Sequence, residues 1–318
     1  MTPPVTERWL EANRIRLRFF EAGSGPAVVF CHGFPEMALS WRHQVEAVAE
    51  AGYRAIALDM RGHGASDRPQ DLAAYAVTQT VGDVIALLDH LGIDRAVMVG
   101  HDAGTTTAYH AALMRPDRIR GVMGLSVPYL PRGHLSLTEA FAGKAPPGFY
   151  MGYFQEPGVA ERDLEHDVDA TLRRLFYANS GENPQAPIMM CADDRGLVAT
   201  LAAPEGPMEF MPEAILEQYV ASWRRTGFSG ALNGYRVFDL NWELTAPWAG
   251  MPLPVPSAFV GGSADIVLSF PGFLEAATAM GKSTLIDGAG HWIQAERPAE
   301  VNAALLRFIE NLSPEENS

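Results

Sequence analysis

The stretch Ala96-Val97-Met98-Val99-Gly100-His101-Asp102-Ala103-Gly104-Thr105 constrains this chain more than any other. An apolar, β-branched run enters a Gly-x-Asp-x-Gly turn, and a helix-like pattern follows. A strand that passes into a helix through so short a turn leaves little room for Cβ atoms, which suits the flanking glycines. The central side chain is pushed outward. That side chain is Asp102. An Asp in this place can also be a plain helix cap, so the rest of the chain must decide.

Apolar runs and helical periods alternate around this elbow. Trp9-Leu10 and Ile15 to Phe20 flank Glu11-Ala12-Asn13 as an antiparallel hairpin. Ala27 to Cys31, Arg54 to Leu58 and Gly121 to Ser126 read as strands buried on both faces. Helical periods fill residues 41–51, 81–91 and 105–114. This is an α/β pattern with a mostly parallel central sheet covered on both sides. Between about residues 128 and 254 the alternation stops, and helical period, Pro and aromatics take over, with helices expected over 163–179, 212–226 and 227–241. Strands resume at Ser257 and Ser283, and a last helix spans 299–312. The simplest account is a core of residues 1–128 and 254–318 with a helical lid, 129–253, inserted into it.

Composition narrows the partners. The 318 residues carry a formal charge of −14, which argues against nucleic acid and anionic membrane surfaces. No apolar run reaches the roughly 18 residues needed to span a membrane. The N-terminus lacks a secretory pattern, so a cytoplasmic protein is expected. The two cysteines, Cys31 and Cys191, form neither a disulfide framework nor a metal motif, and no metal or cofactor is expected. Oligomeric state is left open.

The identity of the elbow residue sets the chemistry. A serine that attacked a saturated carbon would leave an ether, with no carbonyl for water to reopen. A carboxylate leaves an ester, and water can attack the aspartyl carbonyl to regenerate it. With a reference pKa of about 3.9, Asp102 is ionised at neutral pH without help. An elbow Asp therefore points to attack on an alkyl carbon, as in an epoxide or an alkyl halide. Three other segments follow strands where such a site needs them. In Cys31-His32-Gly33-Phe34-Pro35-Glu36 the Phe34 N–H, with that of Ala103, is placed to hold an oxyanion. Gly288-Ala289-Gly290-His291-Trp292 offers His291 as a base toward water, and Gly261-Gly262-Ser263-Ala264-Asp265 offers Asp265 to orient it. The order Asp102, Asp265, His291 is the nucleophile–acid–base order of elbow hydrolases. His32 and His101 read as structural, and Asp59 and Asp67 as builders of the loop after the Arg54 strand.

Taken together, His32 to Glu36, Asp59 to Pro69, Gly100-His101-Asp102 and Gly290-His291-Trp292 resemble the α/β-hydrolase epoxide hydrolases, over the span from Trp9 to Leu312. The elbow and His segments are shared with haloalkane and fluoroacetate dehalogenases. Two further segments separate the groups: Tyr150-Met151-Gly152-Tyr153-Phe154-Gln155-Glu156-Pro157-Gly158 and Gly234-Tyr235-Arg236 match those that carry the ring-opening tyrosines of soluble epoxide hydrolases. In that family the first tyrosine stands four residues before the Phe of the Phe-Gln-x-Pro-Gly run, which is Tyr150 here. Tyr153, three residues on, is the alternative. The resemblance implies an α/β-hydrolase fold with a helical cap, an epoxide and water as reactants, Tyr150 and Tyr235 as proton donors, and His32, Pro35, Tyr153 and Trp292 close to substrate. The family commonly has Trp after the nucleophile; Ala103 departs from it and puts the pocket's volume in question. A dehalogenase on the same scaffold, or a receptor-like protein with little turnover, is the alternative.

Overall fold

A computed structural model describes residues 3–142, 145, 148–185, 189–191 and 195–312. Eight strands form one sheet: β1 (Thr6–Ala12), β2 (Ile15–Gly23), β3 (Ala27–Cys31), β4 (Arg54–Leu58), β5 (Ala96–His101), β6 (Ile119–Leu125), β7 (Ser257–Gly262) and β8 (Ser283–Ile286). Their order is β1-β2-β4-β3-β5-β6-β7-β8. β1 pairs antiparallel with β2, and β2 with β4; from β4 onward every pair is parallel.

Helices α1 (Arg42–Glu50), α2 (Val77–His90) and α3 (Ala103–Met114) join the first parallel strands. Between β6 and β7 lie α4 (Leu137–Phe141), α5 (Tyr150–Tyr153), α6 (Val159–Leu164), α7 (Val168–Ala178), α8 (Glu213–Thr226), α9 (Ser229–Arg236) and α10 (Phe238–Leu244). Helix α11 (Phe273–Ala279) precedes β8, and α12 (Ile293–Glu296) and α13 (Pro298–Glu310) end the described chain.

The inner strands β3 to β7 are apolar on both sides because both sides are covered. Val28, Phe30, Val97 and Val99 face Trp41, Val45 of α1 and Phe308 of α13. Their neighbours Val29, Cys31 and Met98 face Val84 and Leu87 of α2 and Ala108 and Ala111 of α3. A third apolar cluster lies within the helical segment and reaches down to Phe34, Phe270 and Trp292 on the core loops. Among the described residues no strand lies between β6 and β7, as the loss of alternation there predicts.

Two helical expectations are corrected. The pattern over 163–179 is broken after Leu164: Asp167 caps a new helix, its side chain accepting from the Ala170 N–H at 3.1 Å. The pattern over 227–241 is divided at Val237 into α9 and α10. Both breaks keep the apolar faces on one cluster while turning the chain, so periodicity runs through them.

Candidate active site

From β3 the chain crosses to β4 on one side and later returns to β5 on the other. The crevice beyond the carboxyl ends of β3 and β5 is thus a topological switch point, the place where ligands bind in open α/β sheets. Phe34 follows β3 and Asp102 follows β5. Asp265 comes after β7, and His291 after β8.

Asp102 sits between β5 and α3 with φ 48° and ψ −126°, a conformation that L-residues rarely adopt. The tight approach at Gly104 shows why the turn is closed to larger residues: a Cβ there would lie 2.1 Å from the Cys31 carbonyl oxygen. The Asp102 carboxylate is divided between two environments. Oδ2 accepts the Phe34 N–H at 2.9 Å. Oδ1 lies 3.8 Å from His291 Nε2. Ala103 is the first residue of α3, directly after Asp102.

The His291 ring is oriented from its other nitrogen. Nδ1 lies 3.0 and 3.1 Å from the two oxygens of the buried Asp265. Asp265 Oδ1 also accepts the Val267 N–H at 3.0 Å, which fixes the carboxylate itself. Burial alone would push the imidazole's pKa down; the Asp265 carboxylate, its hydrogen bond and the Asp102 charge outweigh that and hold it at about 9. Both carboxylates thus favour the protonated ring facing Asp102.

Tyr150, which opens α5, and Tyr235 on α9 are both buried, with ring centroids 6.2 Å apart. Phe154 packs edge-on against each, at 5.6 and 5.1 Å. The two segments are tied together by Gln155 Nε2, which donates to the Tyr235 carbonyl at 3.1 Å, and by Arg236 Nε, which donates to the Phe154 carbonyl at 2.9 Å. Burial, with Asp102 adding to it, pushes both phenols well above their usual range, so they stay protonated.

One cavity brings Asp102, His291, Tyr150 and Tyr235 together. Pro35 and Trp292 also line it, with Phe34, Met189 and Asn179. The remaining wall is Leu175 and the stretch after Asp265, namely Ile266, Val267 and Phe270. Trp292 Nε1 donates to the Phe176 carbonyl at 2.7 Å, and Trp223 Nε1 to the Pro35 carbonyl at 2.9 Å, pinning the helical segment to the loops that carry His291 and the Phe34 N–H.

Two residues expected near substrate do not reach this cavity. His32 is buried, its Nε2 accepting the Met60 N–H at 3.0 Å and its Nδ1 facing the Gly33 carbonyl at 2.9 Å; it braces two loops, as its structural reading had it. Tyr153 turns away, and its hydroxyl bonds Asp163 Oδ2 at 3.2 Å. That carboxylate also takes the Leu197 N–H, so Tyr153 anchors a loop. Asp59, as expected, builds its loop: it accepts from Ala38 and Ala65 N–H groups and pairs with Arg18.

Sequence reasoning missed a buried polar network beneath the elbow. His101 Nδ1 lies 2.6 Å from Glu36 Oε2, and its Nε2 lies 2.8 Å from the His291 carbonyl. Gln294 Nε2 donates to Glu36 Oε1 at 2.6 Å, and Ser126 Oγ donates to the His291 carbonyl at 2.7 Å. The only local hint was a Glu two residues after Phe34. Among the described residues no group of three or more His, Cys, Asp or Glu is arranged to hold a metal. Among them, too, no helix is long and apolar enough to cross a membrane.

The chain matches the family model described as the alpha/beta hydrolase fold over residues 26–298. It is 44% identical over 315 residues to Epoxide hydrolase A of Mycobacterium tuberculosis, covering 96% of this chain and 98% of that one. It is 41% identical to an epoxide hydrolase of Caballeronia sordidicola, over 97% and 95% of the two chains. The crystal structure of Epoxide Hydrolase A from Mycobacterium thermoresistibile superposes with a TM-score of 0.91 at 43% identity, covering 98% of this chain and 99% of that one. The chain belongs to the epoxide hydrolases of the α/β-hydrolase fold family.

Proposed function

We propose that this protein converts an epoxide to a vicinal diol through an ester on Asp102. The observation that carries the reading is the divided carboxylate: one oxygen rests on the Phe34 N–H while the other faces His291, with Tyr150 and Tyr235 on the same cavity. In the first step Asp102 Oδ1 attacks a ring carbon. The Oδ1–C bond forms, the ring C–O bond breaks, and a phenol gives its proton to the departing oxygen. An alkoxide is a poor leaving group in neutral water, and two protonated phenols supply the missing acid. The helical segment, residues 129–253, acts as the cap that brings them over the nucleophile.

Alkylation removes the Asp102 charge, one of the causes that hold His291 at about 9. The imidazole then loses its proton more readily and becomes a base at neutral pH. It takes a proton from water as the hydroxyl adds to the Asp102 carbonyl carbon. The oxyanion forms at Oδ2, held by the Phe34 N–H and by that of Ala103. The Cγ–Oδ1 bond breaks, the diol oxygen is protonated by His291, and the acid proton of Asp102 returns to the phenolate. The sum is epoxide plus water to diol.

A single turnover in 18O-labelled water tests this. The diol oxygens come from the ring and from Oδ1, so the first diol is expected to be unlabelled and the label to appear in the Asp102 peptide. Label in the first diol would mean that water opens the ring directly. Halide release from haloalkanes with no diol from any epoxide would move the chain to dehalogenation.

The tyrosines make a separate expectation. Replacing both Tyr150 and Tyr235 with Phe should slow ester formation by about a hundred- to ten-thousandfold, while either single change leaves one donor and costs less. Stopped-flow or rapid-quench rates with styrene oxide measure it. Tyr153→Phe, whose hydroxyl is spent on Asp163, should leave that rate within about twofold.

A further inference from the structure

Glu296 ends the short helix α12, five residues after His291. Both of its carboxylate oxygens are spent on peptide N–H groups. Oε2 accepts from Gly290 at 2.8 Å and from Gly181 at 2.8 Å; Oε1 accepts from Trp292 at 3.0 Å. Two of these donors are the residues on either side of His291. The third belongs to the loop that leaves α7, whose end lines the cavity through Leu175 and Asn179. Among the described residues no cation pairs with this carboxylate. Even partial burial of an anion away from a countercharge is costly, and three N–H donors offset that cost only while all three stay in place.

The surroundings confirm how closely the two loops are pressed. A Cβ on Gly290 would lie 2.3 Å from the Gly181 nitrogen. The His291 N–H donates to the Asn179 carbonyl at 2.8 Å. The base thus hangs from the core through its carbonyl, held by His101 and Ser126, and from the helical segment through its N–H. Glu296 clamps the peptides before and after it.

Resting on the epoxide hydrolase reading, we propose that Glu296 is a positioning residue for His291: its carboxylate sets the backbone that aims Nε2 at the water attacking the ester. Ester formation draws on Asp102, Tyr150 and Tyr235 and does not need that aim. Ester hydrolysis does, and a displacement of about 1 Å costs on the order of a hundredfold in rate.

The test is a comparison of the two half-reactions in parent and Glu296→Gln, with styrene oxide as probe and rapid-quench intact mass to follow the ester. The glutamine keeps the shape but turns one acceptor into a donor that faces an N–H. Ester formation is expected within twofold of the parent, and ester decay at least tenfold slower. Equal slowing of both steps, or of neither, overturns the proposal and leaves Glu296 a structural residue. If the parent itself forms no ester, the epoxide reading falls and the clamp's role in hydrolysis falls with it. Should the glutamine variant fail to fold, Glu296→Asp, which withdraws the charge by one methylene, carries the same comparison. Its ester decay is expected to slow at least threefold against unchanged formation, and an unchanged ratio overturns the proposal.

Discussion

Asp102→Ala is expected to form diol at no more than about one ten-thousandth of the parent rate, as losing a nucleophile usually costs an enzyme. Among the described residues no other carboxylate lines the cavity, so none of them stands in for it. The fold should persist, because alanine keeps a Cβ at the same φ of 48° and the strain of the turn is unchanged. The variant has a second readout. With the Asp102 charge gone, the His291 imidazolium loses one of its partners, and its pKa is expected to fall below about 9. The sign follows from the charges: an anion 3.8 Å away favours the protonated ring, and removing it favours the neutral one. NMR titration of the His291 ring in parent and variant measures it. An unchanged pKa would mean that Asp265 alone sets the base, and that alkylation does not switch it on.

His291→Gln is expected to separate the two half-reactions. Glutamine can donate to Asp265 from its amide nitrogen, so the buried carboxylate keeps a partner. It takes no proton from water, however. The variant should release one burst of consumed epoxide, equal to the enzyme present, and then stall, with ester hydrolysis slowed by about a hundred- to ten-thousandfold. Intact mass should show the protein heavier by one epoxide. Normal turnover would show that another group activates the water. In the parent, ester hydrolysis should rise with pH through an apparent pKa below about 9, because the ester lacks the charge that holds the resting ring there.

Asp102, Asp265 and His291 were legible because each follows a strand of the sheet, whereas Tyr150 and Tyr235, on helices α5 and α9, were marked only by the resemblance of their segments to those of soluble epoxide hydrolases. The parallel strands of this sheet all open their carboxyl ends on one crevice, so reading the run is enough to place the residue that follows. The Asp102–Asp265–His291 group needed nothing more than strand, turn and residue type. Distances across the chain were not readable in that way. Glu36 meets His101 from 65 residues away and Gln294 from 258. No local pattern distinguishes such a residue from a solvated one. Tyr153 shows the limit from the other side. It stands three residues after Tyr150, which made it the alternative, but α5 is a single turn, and Asp163 draws its hydroxyl off. The helical segment resisted for a related reason: its breaks at residues 165–167 and at Val237 turn the chain around one apolar cluster, while its apolar periodicity continues across them.

The margins of the sheet set how copies of this chain can meet. A parallel sheet left open at its sides would be a template for strand addition. On one side the antiparallel hairpin takes the outer place, and its outermost strand, β1, carries Glu7, Arg8 and Glu11. On the other, β8 is four residues long and begins Ser283-Thr284, giving a newcomer little ladder to extend. Both ends are thus poor seeds for a continuous intermolecular sheet. Self-association, and resistance to aggregation during folding, would then be decided on helical surfaces rather than along hydrogen-bonded edges.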